Sequence, residues 1–237
     1  MSRLFAIADL HLSLIGSKPM DRFGEIWVDH AQTMARRWDA LVSAEDWLLL
    51  PGDLSWARNE KEVQPDLEWI EARPGKKLLL RGNHDSWWGS RAKLEALLPP
   101  SCTALMHDAA QIGDLVVVGA RGWTAPDDPI AGPSDGKLFQ REISRLKLSI
   151  EDADRRFDRT NRRIAMTHFP PLLLGRSPSD VVPLLQAANV RLCAYGHLHG
   201  DDHRLAVDGE VEGVDYKFVA ADAIEMRPRL IMESVYE

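Results

Sequence analysis

Five short apolar runs, each followed at once by polar side chains that can do chemistry, recur along this chain of 237 residues. The runs span residues 4–8, 47–50, 77–80, 163–166 and 191–195. Runs this short and this apolar are typical of strands that are buried on both faces of a sheet. In open α/β sheets, ligands bind at the carboxyl ends of such strands. The pattern therefore predicts an α/β fold with a site at the strand ends.

Two amphipathic stretches predict helices between the strands, because their apolar side chains recur at alternating spacings of three and four over residues 25–43 and 138–157. Further strands are expected at residues 104–107, 115–119, 203–207, 214–219 and 230–234, with a hairpin turn at Asp208-Gly209. Residues 121–136 carry several Pro and Gly and predict a long loop. No repeat or long linker interrupts the sequence, so a single domain over residues 1–237 is expected.

The charge and the cysteine content restrict the partners and the compartment. There are 29 Lys and Arg against 36 Asp and Glu, which gives a formal net charge of −7. This acidic balance argues against nucleic acid as a partner, because phosphate neutralisation needs a basic surface. No apolar run approaches the roughly 20 residues of a membrane helix, and two cysteines are too few for a disulfide framework. A cytoplasmic protein that does not bind membranes is expected.

The polar residues that follow the predicted strands form a set of metal-ligand types. Asp9-Leu10-His11 ends the first run, and its alternating side chains point to the same side. The later runs are followed by Gly52-Asp53, Gly82-Asn83-His84-Asp85, His168 and Gly196-His197-Leu198-His199. Each motif alone is a weak signal, but their joint occurrence in this order is specific.

These residue types suit a pair of divalent cations. Two ions about 3.5 to 4 Å apart need a bridging carboxylate, with imidazole and oxygen ligands at the remaining positions. Asp53 is the natural bridge, and the glycines at 52, 82 and 196 let the chain turn sharply beside it. A mixed nitrogen and oxygen donor set suits Mn, Fe or Zn rather than a structural zinc site built from cysteines.

The complete set of motifs, spanning residues 9 to 199, resembles the calcineurin-like metallophosphoesterase superfamily, and in particular its compact bacterial phosphohydrolases. The resemblance implies a four-layer α/β/β/α sandwich with two central β-sheets and a dinuclear site at the strand ends. It also implies a metal-bridging hydroxide that attacks phosphorus, with His84 as general acid or as a stabiliser of the leaving oxygen, and Mn as the metal that best supports activity in vitro. The implied ligands are Asp9, His11, Asp53 and His199 for one ion, and Asp53, Asn83, His168 and His197 for the other.

The resemblance supplies no substrate; our hypothesis is a phosphoesterase that hydrolyses a small phosphomonoester or phosphodiester. Protein phosphatases of this superfamily carry G-D-x-x-D-R-G, whereas residues 52–58 here lack the second Asp and its Arg. This departure argues against a protein phosphatase and leaves His84 without its usual acidic partner. The alternatives are a nuclease of the same superfamily and a non-catalytic interaction module on the same fold.

Several other residues are candidates for contacts near the site. Aromatic rings that could wall a substrate pocket are Trp56, Trp87, Trp88 and Trp123. Cations that could bind phosphate are Lys18, Arg22, Arg58, Arg81 and Arg121. Asp85 is expected to orient backbone amides. The three histidines outside the motifs, at positions 30, 107 and 203, are expected to be ordinary structural residues.

Overall fold

Two β-sheets stacked face to face form the centre of the structure, a computed structural model that describes residues 2–15, 18–158 and 162–236. The strands in chain order are β1 (Ser2–Ala6), β2 (Trp47–Pro51), β3 (Lys76–Leu80), β4 (Cys102–Ala104), β5 (Ala110–Ile112), β6 (Leu115–Ala120), β7 (Arg162–Thr167), β8 (Val190–Tyr195), β9 (Gly209–Val211), β10 (Val214–Phe218) and β11 (Arg229–Val235). One sheet has the order β11-β1-β2-β3-β4 and the other β5-β6-β7-β8-β10-β9. Strands β1 to β4 run parallel in the first sheet and β6, β7, β8 and β10 in the second, with β11, β5 and β9 added antiparallel at edges.

Helices cover the outer faces of both sheets. They are α1 (His30–Leu41), α2 (Glu60–Glu71), α3 (Arg91–Leu97), α4 (Asp135–Arg156) and α5 (Val181–Ala187), with 3-10 helices at Met20–Phe23, Glu25–Trp27 and Gly200–Leu205. The buried positions of α1 are Ala31, Met34 and Trp38, spaced by three and four as expected for an amphipathic helix. The Asn59 side chain caps α2 by accepting hydrogen bonds from two backbone N–H groups of its first turn.

Three apolar clusters separate four layers. In one, Leu4, Leu49 and Leu78 of the first sheet meet Val117 and Ile164 of the second. In the other two clusters, the outer sheet faces pack against α1 and α2 on one side and against α4 and α5 on the other. Strands with both faces buried need apolar residues at every position, which explains their continuous apolar runs. The predicted α/β/β/α architecture with two central sheets is confirmed.

Three predicted elements were wrong in extent or type. The strand predicted at residues 104–107 is β4 (Cys102–Ala104), because the chain leaves the extended conformation after Ala104, where Met106 N donates to Asp108 Oδ1 and His107 has a φ of 61°. The first predicted helix begins at His30 and not at residue 25, because Asp29 has a left-handed φ of 51° that breaks the helical path after Glu25–Trp27. Residues 203–207 do not form a strand, because i to i+3 hydrogen bonds close a 3-10 helix over Gly200–Leu205.

The predicted hairpin turn is also displaced. Asp208-Gly209 does not form it, since β9 already begins at Gly209. The turn between β9 and β10 uses Glu212 and Gly213, which have φ values of 51° and 83°. Two successive residues with positive φ are what a tight hairpin turn requires. The loop predicted at 121–136 is confirmed except for its last two residues, which start α4.

Two observations bear on the expected compartment. Cys102 and Cys193 are both free and buried. Within the part of the chain that the structure describes, no helix is both long and apolar enough to cross a membrane. The cytoplasmic location and the single-domain organisation stay predictions.

Candidate metal centre

The sequence-predicted site residues all lie at the carboxyl ends of parallel strands. Asp9 and His11 follow β1, Asp53 follows β2, and Asn83 and His84 follow β3. His168 follows β7, and His197 and His199 follow β8 in the other sheet. Backbone hydrogen bonds from Asp9 to Gly52 and from His11 to Asp53 hold the first two motif segments side by side. The two stacked sheets thus deliver eight predicted side chains to one region.

One group of possible ligand atoms surrounds His199. Its Nε2 lies 3.3 Å from His11 Nε2 and 3.5 Å from Asp9 Oδ1. One potential ligand atom from each of these three residues lies within 4.8 Å of those of the other two. Asp53 Oδ2 is 3.9 Å from His11 Nε2. These distances allow one cation to contact all of these atoms at once.

A second group surrounds His168, whose side chain is completely buried. Its Nε2 lies 2.8 Å from Asn83 Oδ1, 3.2 Å from His197 Nδ1 and 3.3 Å from Asp53 Oδ2. The same Asp53 oxygen therefore faces both groups. A carboxylate in that position is suited to bridge two ions.

The donor set fits metal ions because too many hydrogen-bond acceptors converge. His168 Nδ1 lies 3.0 Å from the carbonyl oxygen of Pro51, which can only accept. In the neutral ring Nδ1 therefore carries the proton, and Nε2 presents a lone pair to the carboxylate of Asp53. Asp9 Oδ1 is buried and has no hydrogen-bond partner among the described residues. Facing lone pairs and an unpartnered buried carboxylate oxygen call for positive charge between them.

The electrostatics of the imidazoles agree with that conclusion. Burial lowers the pKa of His168, but Asp53 and Asp9 outweigh it and raise the pKa to about 9. For His199, burial again lowers the pKa, while Asp222 and Asp9 raise it to about 10. Asp9 and Asp53 thus attract positive charge to His168 and His199, and a bound metal would satisfy these groups as a proton does. Imidazole, amide and carboxylate donors without thiolate suit Mn, Fe or Zn.

Sequence reasoning missed Asp222, which follows β10. Its Oδ1 lies 2.9 Å from His199 Nδ1, and its Oδ2 lies 3.0 Å from His203 Nε2. A carboxylate on the outer nitrogen of a ligating histidine fixes the ring and its tautomer. The signal was present, since Asp222 is also a polar residue just beyond a predicted strand. His203, expected to be an ordinary residue, belongs to this group as well.

The backbone at the site is held in uncommon conformations. Asp9, His11, Asp53 and His197 have φ values of 61°, 44°, 54° and 77°, in the left-handed region that non-glycine residues rarely occupy. Gly82 provides the close approach expected of it, since a Cβ there would lie 2.0 Å from Asp53 Oδ1. Bringing these side chains together therefore costs conformational energy, because their backbone lies in this rarely occupied region.

Asp85 connects the second and third motifs, as expected. Its buried carboxylate accepts hydrogen bonds from the N–H groups of Leu54 (2.9 Å), Ser55 (3.1 Å) and Gly82 (2.7 Å). It also accepts one from Trp87 Nε1 at 3.0 Å. Burial and the charge of Asp53 raise the pKa of Asp85 to about 6. Asp85 therefore acts by positioning backbone.

His84 lies at the solvent side of the site. Its backbone N–H donates to Asp53 Oδ1 at 2.8 Å, and its side chain is 42% exposed. Asp53 Oδ2, at 3.9 Å, is the only ion-pair partner of its ring among the described residues. The ring centre of Trp56 lies 4.2 Å from that of His84. Aromatic packing thus takes the place of the acidic partner that the sequence lacks.

Two of the predicted aromatic residues border the site region and two do not. Trp56 stacks on His11 at 4.9 Å, and the Lys18 ammonium lies 4.0 Å from the Trp56 ring centre. Trp123 packs on Phe169, which lies 3.8 Å from His197 and was missed from the sequence. The remaining pair, Trp87 and Trp88, is buried in the core under the first sheet.

The predicted phosphate-binding cations lie in different parts of the structure, and not all of them are near the site. Lys18, above Trp56, is the one placed beside His84, and its charge helps to lower the pKa of that ring, after burial as the main cause. Arg58 forms an exposed pair with Glu62, and Arg22 is exposed. Arg81 and Arg121 line a separate cavity behind the strand ends.

Comparisons with known proteins agree with this geometry. The family model described as calcineurin-like phosphoesterase matches residues 2–201. The Gene 66 proteins of Mycobacterium phages L5 and D29 are 32% and 33% identical to the chain over 85 residues. That region is 36% of this chain and 41% of each phage protein, so the match spans less than half of those relatives.

Solved structures share the fold over nearly the whole chain. The phosphopantetheinyl hydrolase of Mycobacterium tuberculosis has a TM-score of 0.61 at 15% identity, covering 98% of this chain and 96% of that one. A protein of unknown function from Aquifex aeolicus has a TM-score of 0.51 at 16% identity, covering 97% and 95%. At such identities the likeness concerns the fold alone. With its family model matched over most of the sequence and every motif gathered at one site, this chain belongs to the calcineurin-like phosphoesterase family.

Proposed function

We propose that the chain is a metal-dependent phosphoesterase that hydrolyses a small phosphomonoester or phosphodiester at a dinuclear centre. The observation that carries the proposal is the Asp53 carboxylate, whose Oδ2 faces His11 at 3.9 Å and His168 at 3.3 Å. One ion would be held by Asp9, His11, Asp53 and His199, and the other by Asp53, Asn83, His168 and His197. When bound, the two cations supply a water of lowered pKa as nucleophile and polarise the phosphoryl oxygens.

The residues of the chain orient this chemistry. Asp222 and the Pro51 carbonyl fix the outer nitrogens of His199 and His168, so that the inner nitrogens face the ions. Phe169 and Trp56 pack on His197 and His11 and limit the motion of those rings. Fixed dipoles and ligands of this kind need little rearrangement during the reaction.

His84 serves the leaving oxygen. Burial lowers the pKa of its ring, so the neutral imidazole predominates near pH 7. The neutral ring donates a hydrogen bond from its N–H to the departing oxygen, and the minor imidazolium form transfers a proton to that oxygen as the bond to phosphorus breaks and becomes the neutral ring. Lys18, held above Trp56 on the same side, attracts the anionic substrate.

Reconstitution tests the proposal directly. The purified chain, stripped with chelator and reloaded with Mn²⁺, Zn²⁺ or Fe²⁺, is expected to cleave p-nitrophenyl phosphate or bis-p-nitrophenyl phosphate. The matched variants are Asp53→Asn, which should be inactive, and Asp39→Asn, an exposed carboxylate paired with Arg73, which should match the wild type. No cleavage of either ester with any metal would overturn the proposal.

The substrate itself is best sought by a screen. We include phosphopantetheinyl esters because the Mycobacterium tuberculosis hydrolase shares the fold, together with nucleotides, cyclic nucleotides, sugar phosphates and phospholipid head groups. The ratio of kcat/KM for the mono- and diester p-nitrophenyl compounds assigns the ester class before the screen begins.

A further inference from the structure

A cluster of positively charged side chains lies behind the strand ends, around a cavity of about 50 Å³. Arg81 directly follows β3 and Arg121 directly follows β6, while Glu142 and Arg145 reach the cavity from α4. His107, beyond β4, completes its polar lining. A cavity needs a volume of only roughly 10–15 Å³ to hold a single water molecule. The cavity therefore has room for a small polyatomic ion.

The charges in this cavity are not balanced. Three guanidinium groups line it against one carboxylate, that of Glu142. Glu142 Oε1 accepts from Arg121 at 3.1 Å and from Arg145 at 2.7 Å. Arg81 has no ion pair among the residues that the structure describes, and the neighbouring Asp85 already accepts from four N–H groups. Two positive charges are thus left uncompensated, one on Arg81 and one shared by Arg121 and Arg145.

Donor atoms in the cavity wall are unpartnered as well. The Nε–H groups of Arg81 and Arg121 are buried without a hydrogen-bond acceptor in the described parts of the chain, and Glu142 Oε2 is buried there without a donor. The side chain of Arg121 is only 9% exposed, with one face against Trp123 at 4.4 Å. Burial, with the neighbouring arginines, lowers the pKa of both guanidinium groups. Buried donors and charges without partners are costly and favour a ligand that supplies acceptors and negative charge.

We propose that this cavity, formed by Arg81, Arg121, Arg145 and His107, binds a tetrahedral oxyanion of the phosphate type. Planar guanidinium groups match phosphate oxygens with paired hydrogen bonds, and such pairs are stronger than neutral ones. A divalent oxyanion balances the excess of cations around Glu142. The ion comes either from free orthophosphate or from a second phosphate group on the substrate.

The cavity is connected to the metal centre through backbone. Arg81 precedes Gly82-Asn83, and the Arg121 carbonyl accepts from the N–H groups of His168 and Phe169, both at 2.9 Å. An anion that orders these two arginines therefore steadies the segments that carry Asn83 and His168. This link gives the anion a means of affecting the centre without contacting it.

Calorimetry with orthophosphate on the full chain loaded with Mn²⁺ tests the proposal. The wild type is expected to show two binding events, one of which persists in excess chelator. Arg81→Met should weaken the chelator-resistant event by at least about tenfold and keep the metal-dependent one. Arg58→Met, which removes an exposed arginine outside the cavity, should keep both. Absence of a chelator-resistant event in the wild type, or its persistence unchanged in Arg81→Met, would overturn the proposal.

Two further measurements are needed. One distinguishes loss of the anion site from misfolding, and the other distinguishes free orthophosphate from a second phosphate group on the substrate. Without phosphate, Arg81→Met should unfold at the same temperature as the wild type or higher, because an uncompensated cation is gone, but it should lose the stabilisation by phosphate. A Tm below the wild type in phosphate-free buffer with an intact phosphate response contradicts the assignment. If the second phosphate belongs to the substrate, Arg81→Met raises KM for bisphosphates and not for monophosphates; free orthophosphate as ligand leaves both KM values unchanged.

Discussion

The chemistry of this molecule depends on how single side chains present one nitrogen or oxygen each. His199 illustrates this, because Nδ1 faces Asp222 at 2.9 Å while Nε2 faces His11 and Asp9. Which nitrogen is available for a metal is therefore decided by a carboxylate from another strand. The same holds for His168, with the Pro51 carbonyl in place of the carboxylate.

Asp222 is predicted to be a positioning residue for His199. Asp222→Ala should weaken metal binding by about 10- to 100-fold, whereas Asp222→Asn keeps an acceptor and should lose less. Metal affinity measured by competition with a chelator provides the readout, separately from activity. A purely structural role would instead lower the Tm of both variants alike and leave the metal affinity unchanged.

His84 is predicted to act on the leaving group. His84→Asn should keep metal content at the wild-type level and lower kcat/KM by about 100-fold or more for alkyl phosphates, which have poor leaving groups. For p-nitrophenyl esters the loss should be smaller, because that leaving group needs little protonation. Equal losses for the two ester types would contradict the role of proton donor.

The site could be predicted largely from the sequence because its ligands follow strands. Asp9, Asp53 and His168 each come within three residues of the end of an apolar run, and parallel strands bring such positions together. Phe169 could not be found this way, since an aromatic residue after a strand is as often core as site. That Trp56 lies at the site while Trp87 lies in the core also depends on tertiary packing, which spacing in the sequence does not determine.

Helices and strands could be predicted where their burial requires a recognisable pattern of apolar residues. The long helix α4 and the central strands are confirmed, because one needs a periodic apolar stripe and the others continuous apolar runs. Helix α2 was not predicted, and Pro65 inside it is a residue that normally argues against a helix. The short helices α3 and α5, seven residues each, were not predicted either. At that length a helix is stable only through tertiary contacts, so local sequence carries little signal.

Asp46 is predicted to tie the start of β1 to the turn before β2. It accepts from Arg3 N at 2.8 Å and from Ser43 N at 2.9 Å. Burial acts to raise the pKa of Asp46, but the hydrogen bonds from Arg3 and Ser43 lower it from 3.8 to about 2. Because the folded state holds the charged form more tightly, the stabilisation is complete above pH 3.8 and is lost as the pH falls through about 2.

Asp46→Asn should therefore lower the free energy of unfolding by about 2 kcal/mol near neutral pH. The difference from the wild type should shrink as the pH falls from about 4 toward 2. Urea unfolding at several pH values measures it, with Asp39→Asn as control for an exposed ion pair worth about 1 kcal/mol or less. A difference that does not depend on pH would contradict the ionic origin of the effect.

The two sheets pack face to face through an apolar layer, and at their carboxyl ends candidate metal ligands from both converge. His168, His197 and His199 come from the second sheet, and the remaining ligands come from the first. Ions bound between them would link the two halves of the sandwich. They would also balance the carboxylates Asp9 and Asp53, which lie close to one another at the centre of the site.

Metal removal is accordingly predicted to destabilise the fold. Each ion that binds the folded state alone at about 100 times its Kd contributes about 2.7 kcal/mol, which corresponds to a Tm lower by about 5–10 °C in chelator for each ion lost from a chain of this size. Thermal unfolding with EDTA and after reloading with Mn²⁺ measures the shift. A Tm that does not respond to either treatment would contradict a bound metal.

In the proposed centre one carboxylate, Asp53, serves two ions. Electron paramagnetic resonance of the chain titrated with Mn²⁺ tests it most directly, because ions sharing a bridge are magnetically coupled and isolated ions are not. We predict a coupled signal that is complete at two Mn²⁺ per chain, and loss of the coupling in Asp53→Asn. A single Mn²⁺ per chain, or two that remain uncoupled in the wild type, would rule out an Asp53 carboxylate shared by two ions.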